Sequence, residues 1–223
     1  MTVSVVIAAH DEAPTIQDVV HRARAAVGRG CEVIVVDDGS SDDTAREAEA
    51  AGARVISLWP NGGKGAALRT GISESTGDWL VFIDADGQDD PAEIPLLLEH
   101  AWGDTVMVNG SRFIGTMRSG AISGPNWFGN VFMTGMLDLV FLAGITDSQA
   151  GFRAIRGDVA RAMDLRSTEY EIETEMLAKV LKSGGRVVEV PVTRDKRAAG
   201  TTDFRRIRNG LRILGTILRE RIA

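Results

Sequence analysis

Apolar positions along this chain follow two registers that take turns. Residues 33–36 and 79–83 are apolar without interruption and each ends at an aspartate, while residues 3–7 are apolar but for Ser4. Such a run buries both of its faces, which predicts strands of a parallel sheet covered on both sides. Between the first two runs, Ile16, Val19, Val20, Ala23, Ala26 and Val27 recur with helical period behind Pro14, which a first helical turn tolerates. The alternation predicts further helices near 43–51, near 64–75 and after Pro91, with strands at 54–58 and 106–109. Repeated βα units imply right-handed crossovers and a mostly parallel sheet flanked by helices, an α/β domain. The second half is less regular. Residues 111–130 are rich in Gly and Ser, an apolar helical stretch runs to Ile145, a helix spans about 171–182, and a last strand covers 186–192. A final helix over about 203–222 places Ile207, Leu211, Leu214, Leu218 and Ile222 on one face.

Composition narrows the class. A chain of 223 residues with 44% hydrophobic content fills one substantial core, so residues 1–223 are expected to form a single domain. Cys31 is the only cysteine, which excludes an internal disulfide and a cysteine metal cage. The N-terminus enters a strand directly, with no basic start and no apolar signal core, so a cytoplasmic location is expected. The apolar stretch at 131–145 is interrupted by Asp138 and falls short of the roughly 20 residues of a membrane span. Charge is uneven: from Arg194 onward nine Lys and Arg face three acids, while the whole chain carries −6. The basic final helix serves either as cover for the sheet or as a peripheral contact with anionic headgroups at the inner face of a membrane. No basic stripe interleaved with aromatic residues is present, which argues against nucleic acid.

Acidic clusters at strand ends carry the candidate chemistry. Ligands of parallel sheets bind at the carboxyl ends of strands, and two apolar runs here end in Asp37-Asp38-Gly39-Ser40 and Asp84-Ala85-Asp86-Gly87-Gln88. Crowded carboxylates repel unless a cation lies between them, and hard oxygen ligands suit Mg²⁺ or Mn²⁺ carrying a phosphate. Asp84 and Asp86 are therefore candidate metal ligands, with Gln88 a neutral oxygen donor two residues on. Asp38 either hydrogen-bonds a nucleobase or ribose or forms a turn. Asn61-Gly62-Gly63-Lys64-Gly65 offers backbone donors and a cation to a phosphate or sugar, or makes a glycine turn; it lacks the spacing of a Walker A loop. Arg112, after a strand, is placed to clamp a diphosphate in a bidentate fork, and Arg153 and Arg197 are similar candidates. The three histidines form no metal set.

In order and spacing, these segments resemble family 2 glycosyltransferases of GT-A fold, in particular the branch of dolichol-phosphate mannose and glucose synthases. The likeness runs over nearly the whole chain, from Ala8-Ala9-His10-Asp11-Glu12 through the clusters above to Gly110-Ser111-Arg112, Asp147-Ser148-Gln149-Ala150-Gly151-Phe152-Arg153 and Arg197-Ala198-Ala199-Gly200-Thr201-Thr202. The resemblance implies a nucleotide-sugar pocket built by Ala8, His10, Glu12, Val36 and Asp38 at the early strand ends. Later in the chain it adds Lys64, Asp84, Ala85, Arg112, Arg153 and Arg197. It implies that Asp84, Asp86 and Gln88 hold Mg²⁺ or Mn²⁺, that Glu12 and Asp38 bind the nucleoside and that Arg112 and Arg197 contact phosphates. Asp86 and Arg112 then act in catalysis.

The implied reaction is inverting transfer of a hexose from a GDP- or UDP-sugar, GDP-mannose among them, to polyprenyl phosphate. A phosphate acceptor is already ionised and needs no strong base; an alcohol would need one, for which Glu171, Glu173 and Glu175 are the acidic candidates, with Glu175 chosen. Equally, these glutamates serve a helix N-terminus. Two residues after Gly200 the family commonly has Ser-Lys, whereas this chain has Thr202-Asp203, an anion in place of a phosphate-binding cation; Arg205 or Arg206 is the compensating candidate. The alternative is a soluble enzyme acting on the nucleotide sugar itself, a mutase or epimerase. A nucleotidyltransferase and a sugar-nucleotide-binding module are further rivals, and a second copy of the chain is an open partner.

Overall fold

The computed structural model describes residues 1–28, 30–198 and 206–222. Seven strands, β1 (Val3–Ala9), β2 (Glu32–Asp37), β3 (Arg54–Ser57), β4 (Trp79–Phe82), β5 (Thr105–Met117), β6 (Arg153–Arg156) and β7 (Arg186–Arg194), form one sheet in the order β3-β2-β1-β4-β6-β5-β7. All neighbours pair in parallel except β6, which runs antiparallel to both β4 and β5. The helices are α1 (Ala13–Val27), α2 (Thr44–Ala50), α3 (Lys64–Glu74), α4 (Ile94–Leu98), α5 (Gly124–Phe141), α6 (Gly157–Ala162), α7 (Ile172–Lys182) and α8 (Arg206–Ile222).

Alternation within the apolar strands explains how both faces are filled. Val5, Ile7, Val33, Val35 and Val81 point to one side, where they pack with Ile16, Val19 and Val20 of α1 and Ile94 and Leu97 of α4. Val6, Leu80 and Phe82 point to the other, against Leu68 and Ile72 of α3, Met176 and Leu177 of α7 and Ile213 and Ile217 of α8. The expected mostly parallel α/β sheet is the one observed.

Three differences from expectation bear on function. Strand β6 and helix α6 were not expected, because the strand Arg-Ala-Ile-Arg opens with a buried arginine and so shows no apolar run. β5 continues far beyond residue 109, pairing with β7 up to Met117 across an irregularity, so the Gly- and Ser-rich segment begins as strand. β7 runs two residues past 192 to Arg194. The last helix is observed over Arg206–Ile222, and residues 203–205, with the motif residues Gly200, Thr201 and Thr202, lie outside the described residues, as does the Arg206 side chain.

Candidate active site

Parallel pairing brings the ends of β1, β2 and β4 to one edge of the sheet, and a cavity of about 650 Å³ opens there. Its walls include Ala8, His10, Glu12, Asp38, Lys64, Asp84, Ala85, Asp86, Gln88, Arg112 and Arg197, so most residues singled out in the sequence meet in one place. Antiparallel β6 contributes through the turn that precedes it. A Cβ on Gly151 would stand 3.1 Å from both carboxylate oxygens of Asp84, so a larger residue in that turn would press on the acid.

The carboxylates are matched by cations. Lys64 places Nζ 2.6 Å from Asp84 Oδ1 and 2.7 Å from Glu173 Oε1, with the Tyr170 ring 5.6 Å from it. Burial pushes the Asp84 carboxyl up, but Lys64 and then Arg194 outweigh it and hold it at about 2. Burial pulls the Lys64 ammonium down, and Asp84 and Glu173 more than reverse this. Arg197 donates to Asp86 Oδ2 at 3.0 Å and also pairs with Glu12. Glu12 stands at about 7, raised mainly by burial against the opposing effect of Arg197, with Asp86 adding to the rise. Arg112 holds the fully buried Asp147 in a bidentate fork, Nε to Oδ2 at 2.6 Å and Nη2 to Oδ1 at 2.8 Å.

Asp84, Asp86 and Gln88 suit a divalent cation. Gln88 donates its amide hydrogens to the carbonyls of Ala121 and Asp195, which leaves its Oε1 to accept from Arg194. All three side chains present an oxygen to a single cationic atom, Arg194 Nη2, at 3.0 Å from Gln88 Oε1, 3.7 Å from Asp86 Oδ2 and 3.8 Å from Asp84 Oδ2. Among the described residues no group of three or more His, Cys, Asp or Glu forms a metal cage on its own. Mg²⁺ takes one or two carboxylates and draws its other ligands from substrate phosphates and water, a demand that Asp84, Asp86 and Gln88 meet in number and type.

Several assignments are corrected. Arg153 does not face the cavity: it is fully buried, donates to the carbonyls of Ala150 and Glu173, and anchors the start of β6 to α7. Glu175 is likewise fully buried, its carboxylate accepting from the amides of Arg166 and Ser167, and is not placed as a base. Glu173, two residues earlier and so on another side of the helix, is the α7 acid that lines the cavity. Val36 is buried among Ile34, Ala67 and Ala8. Three amides of the glycine loop are already engaged, Gly62 and Gly63 each donating to Asp38 at 2.8 Å and Gly65 to the Thr168 carbonyl. Arg194 was missed as a site residue. The signal was available: it follows buried Val190 and Val192 at the two-residue period of a strand, so it belongs to β7.

A family model described as glycosyl transferase family 2 matches residues 4–164. The chain belongs to glycosyltransferase family 2. Other members include the undecaprenyl-phosphate mannosyltransferase of Micrococcus luteus, 34% identical over 215 residues that cover 90% of this chain and 86% of that one. The dolichol-phosphate mannosyltransferase of Pyrococcus furiosus is 31% identical over 92% of this chain, which spans 60% of its length. Among solved structures, glucosyl-3-phosphoglycerate synthase from Mycobacterium tuberculosis, crystallised with Mn²⁺, UDP-glucose and phosphoglyceric acid, superposes with a TM-score of 0.78 at 25% identity, covering 99% of this chain and 79% of that one. This family 2 enzyme is thus a glycosyltransferase of GT-A fold, and divalent metal accompanies the nucleotide sugar in a structural neighbour.

Proposed function

We propose that this enzyme transfers a hexose, with inversion, from a GDP- or UDP-sugar to a polyprenyl phosphate presented at a membrane surface. The observation that carries the acceptor is the placement of α5. Its Asn126 and Asn130 line the cavity, while Trp127, Phe128, Val131 and Phe132 of the same helix are exposed. A helix apolar on nearly all sides but buried only at Thr134 and Leu137 leaves apolar surface for something else to cover. α8 packs beside α5 and adds exposed Ile207, Leu211, Leu218 and Ile222 along one stripe, flanked by arginines. A charged cavity bordered by apolar surface suits a ligand with an anionic head and an isoprenoid tail. Among the described residues no helix is long and apolar enough to cross a membrane, so contact through α5 and α8 would be peripheral.

Asp84, Asp86 and Gln88 would hold the divalent ion, which supplies positive charge to the departing nucleoside diphosphate. Arg112 and Arg197 line the same cavity and offer guanidinium donors to phosphate oxygens. Glu12 and Asp38, which line the cavity beyond the β1 and β2 ends, would bind the nucleoside. An ionised acceptor phosphate attacks the anomeric carbon from the face opposite the leaving group without needing a base. That fits a site in which Glu173 is engaged by Lys64 and Glu175 by backbone amides.

The test is incubation with Mn²⁺ and GDP- or UDP-sugars, with undecaprenyl phosphate, with 3-phosphoglycerate and with no acceptor, followed by mass spectrometry. Glycosylated lipid plus free nucleoside diphosphate is expected, with turnover falling at least 100-fold in Asp86→Ala. Transfer to phosphoglycerate alone, or isomerisation of the nucleotide sugar without acceptor, would overturn the lipid assignment.

A further inference from the structure

Arg194 stands where the ion would. Its Nη2 sits among Gln88 Oε1, Asp86 Oδ2 and Asp84 Oδ2 at 3.0, 3.7 and 3.8 Å. Its other terminal nitrogen, Nη1, is 2.7 Å from Oδ2 of Asp89, an acid only 2% exposed on its side chain. The backbone fixes this end of β7 as well: Asp89 and Arg194 form an isolated bridge, and the Asp195 amide donates to the Gln88 carbonyl at 2.7 Å. The guanidinium is therefore tethered on one side and held only by longer contacts to the two carboxylates on the other. A metal ion ligated by the same oxygens at about 2.0–2.1 Å cannot share them with a second cation at this distance.

We propose that Arg194, among the described residues the one cation that reaches all three side chains beside Lys64 on Asp84 and Arg197 on Asp86, is a resident counter-cation of the metal site, holding Asp84, Asp86 and Gln88 in position until the ion displaces its Nη2, and thereby lowering the affinity for that ion. Asp89 keeps Nη1 during the exchange, so the side chain pivots rather than leaves. The displaced nitrogen then needs an anion, and the diphosphate of the donor is the anion that arrives with the metal. Two consequences follow: the free enzyme binds the ion weakly, and nucleotide and metal bind with a mutual gain that exceeds their own chelation, because each relieves the cost of moving Arg194. Arg194 is a positioning residue here, and its role rests on the assignment of Asp84, Asp86 and Gln88 as the ion's ligands.

Mn²⁺ binding measured by electron paramagnetic resonance, with and without UDP, separates the claims. Without nucleotide, Arg194→Met should bind Mn²⁺ at least tenfold more tightly than the unaltered enzyme, with Arg194→Lys between them. The tightening of Mn²⁺ binding by UDP should shrink correspondingly in Arg194→Met. Removing the guanidinium strands buried Asp89, so the double variant Arg194→Met/Asp89→Asn, with both halves of the pair neutral, provides the same comparison if the single variant does not fold; its fold is checked by circular dichroism. Equal or weaker Mn²⁺ binding in these variants, while Asp86→Asn still abolishes Mn²⁺ binding with UDP present, would overturn the counter-cation and leave the metal site standing. Mn²⁺ binding with UDP that is indifferent to Asp86→Asn would overturn the ligand assignment, and the role of Arg194 with it.

Discussion

Glu12 shows how burial and charge compete at a single side chain. Its carboxyl is raised from 4.5 to about 7 by burial, and the Arg197 guanidinium does not offset this fully. The folded state therefore keeps a proton that the unfolded chain releases between these values. The stability Glu12 contributes is greatest below about pH 4.5 and is lost as pH rises through about 7. Glu12→Gln cannot ionise, so its unfolding free energy should fall less than that of the unaltered protein between pH 5 and pH 8, by on the order of 2 kcal/mol. Urea unfolding at the two pH values checks this; parallel pH dependence in both proteins would refute it. Individual residues were legible to different degrees in the sequence. Asp84 and Asp86 stood out because an apolar run delivers them to a strand end. Arg153 and Glu175 misled because a charged residue in a motif reads as solvent- or ligand-facing, whereas burial with backbone hydrogen bonds satisfies it equally well.

At the level of elements, helix α3 sets the position of Lys64 by pressing its first turn against the segment before α7. The Gly65 amide donates to the Thr168 carbonyl at 2.8 Å, and a Cβ on Gly65 would lie 2.6 Å from the Ser167 carbonyl oxygen. Backbone cannot yield as a flexible side chain does. Gly65→Ala should cost about 2–3 kcal/mol and pull Lys64 from between Asp84 and Glu173, lowering kcat well beyond the loss of folded protein. Gly71→Ala in the same helix meets Val6 Cγ1 at 2.3 Å, away from the cavity, and provides the stability-matched comparison in a denaturation and turnover series. Elements whose burial is apolar, β1, β2, β4 and α1, were legible because periodicity records burial directly. β6 was not, since its insertion between β4 and β5 is decided by pairing partners distant in sequence; at the end of β7 the period was there to read, but an arginine continues the inward face and so hides the strand from an apolar count.

For the whole molecule, the proposed lipid acceptor requires that the apolar surface on α5 and α8 beside the charged cavity face a lipid layer. Leu211 and Leu218 are 68% and 47% exposed, so changing both to Gln should leave stability nearly untouched. Binding to phosphatidylglycerol vesicles should weaken about tenfold or more, as each buried leucine is worth about 1.5–3 kcal/mol. Turnover of a short-chain isoprenyl phosphate in solution should stay level; vesicle sedimentation alongside that assay would expose a purely structural role if both fell together. The site also draws its two signs of charge from distant parts of the chain: Asp86 precedes its partner Arg197 by 111 residues. At typical synthesis rates the acids leave the ribosome roughly 5–20 s before the arginines. Through that interval Lys64, made before Asp84, is the cation already at hand for that acid, whereas Asp86 waits for Arg194 and Arg197, so its first counter-ions come from the surrounding solution.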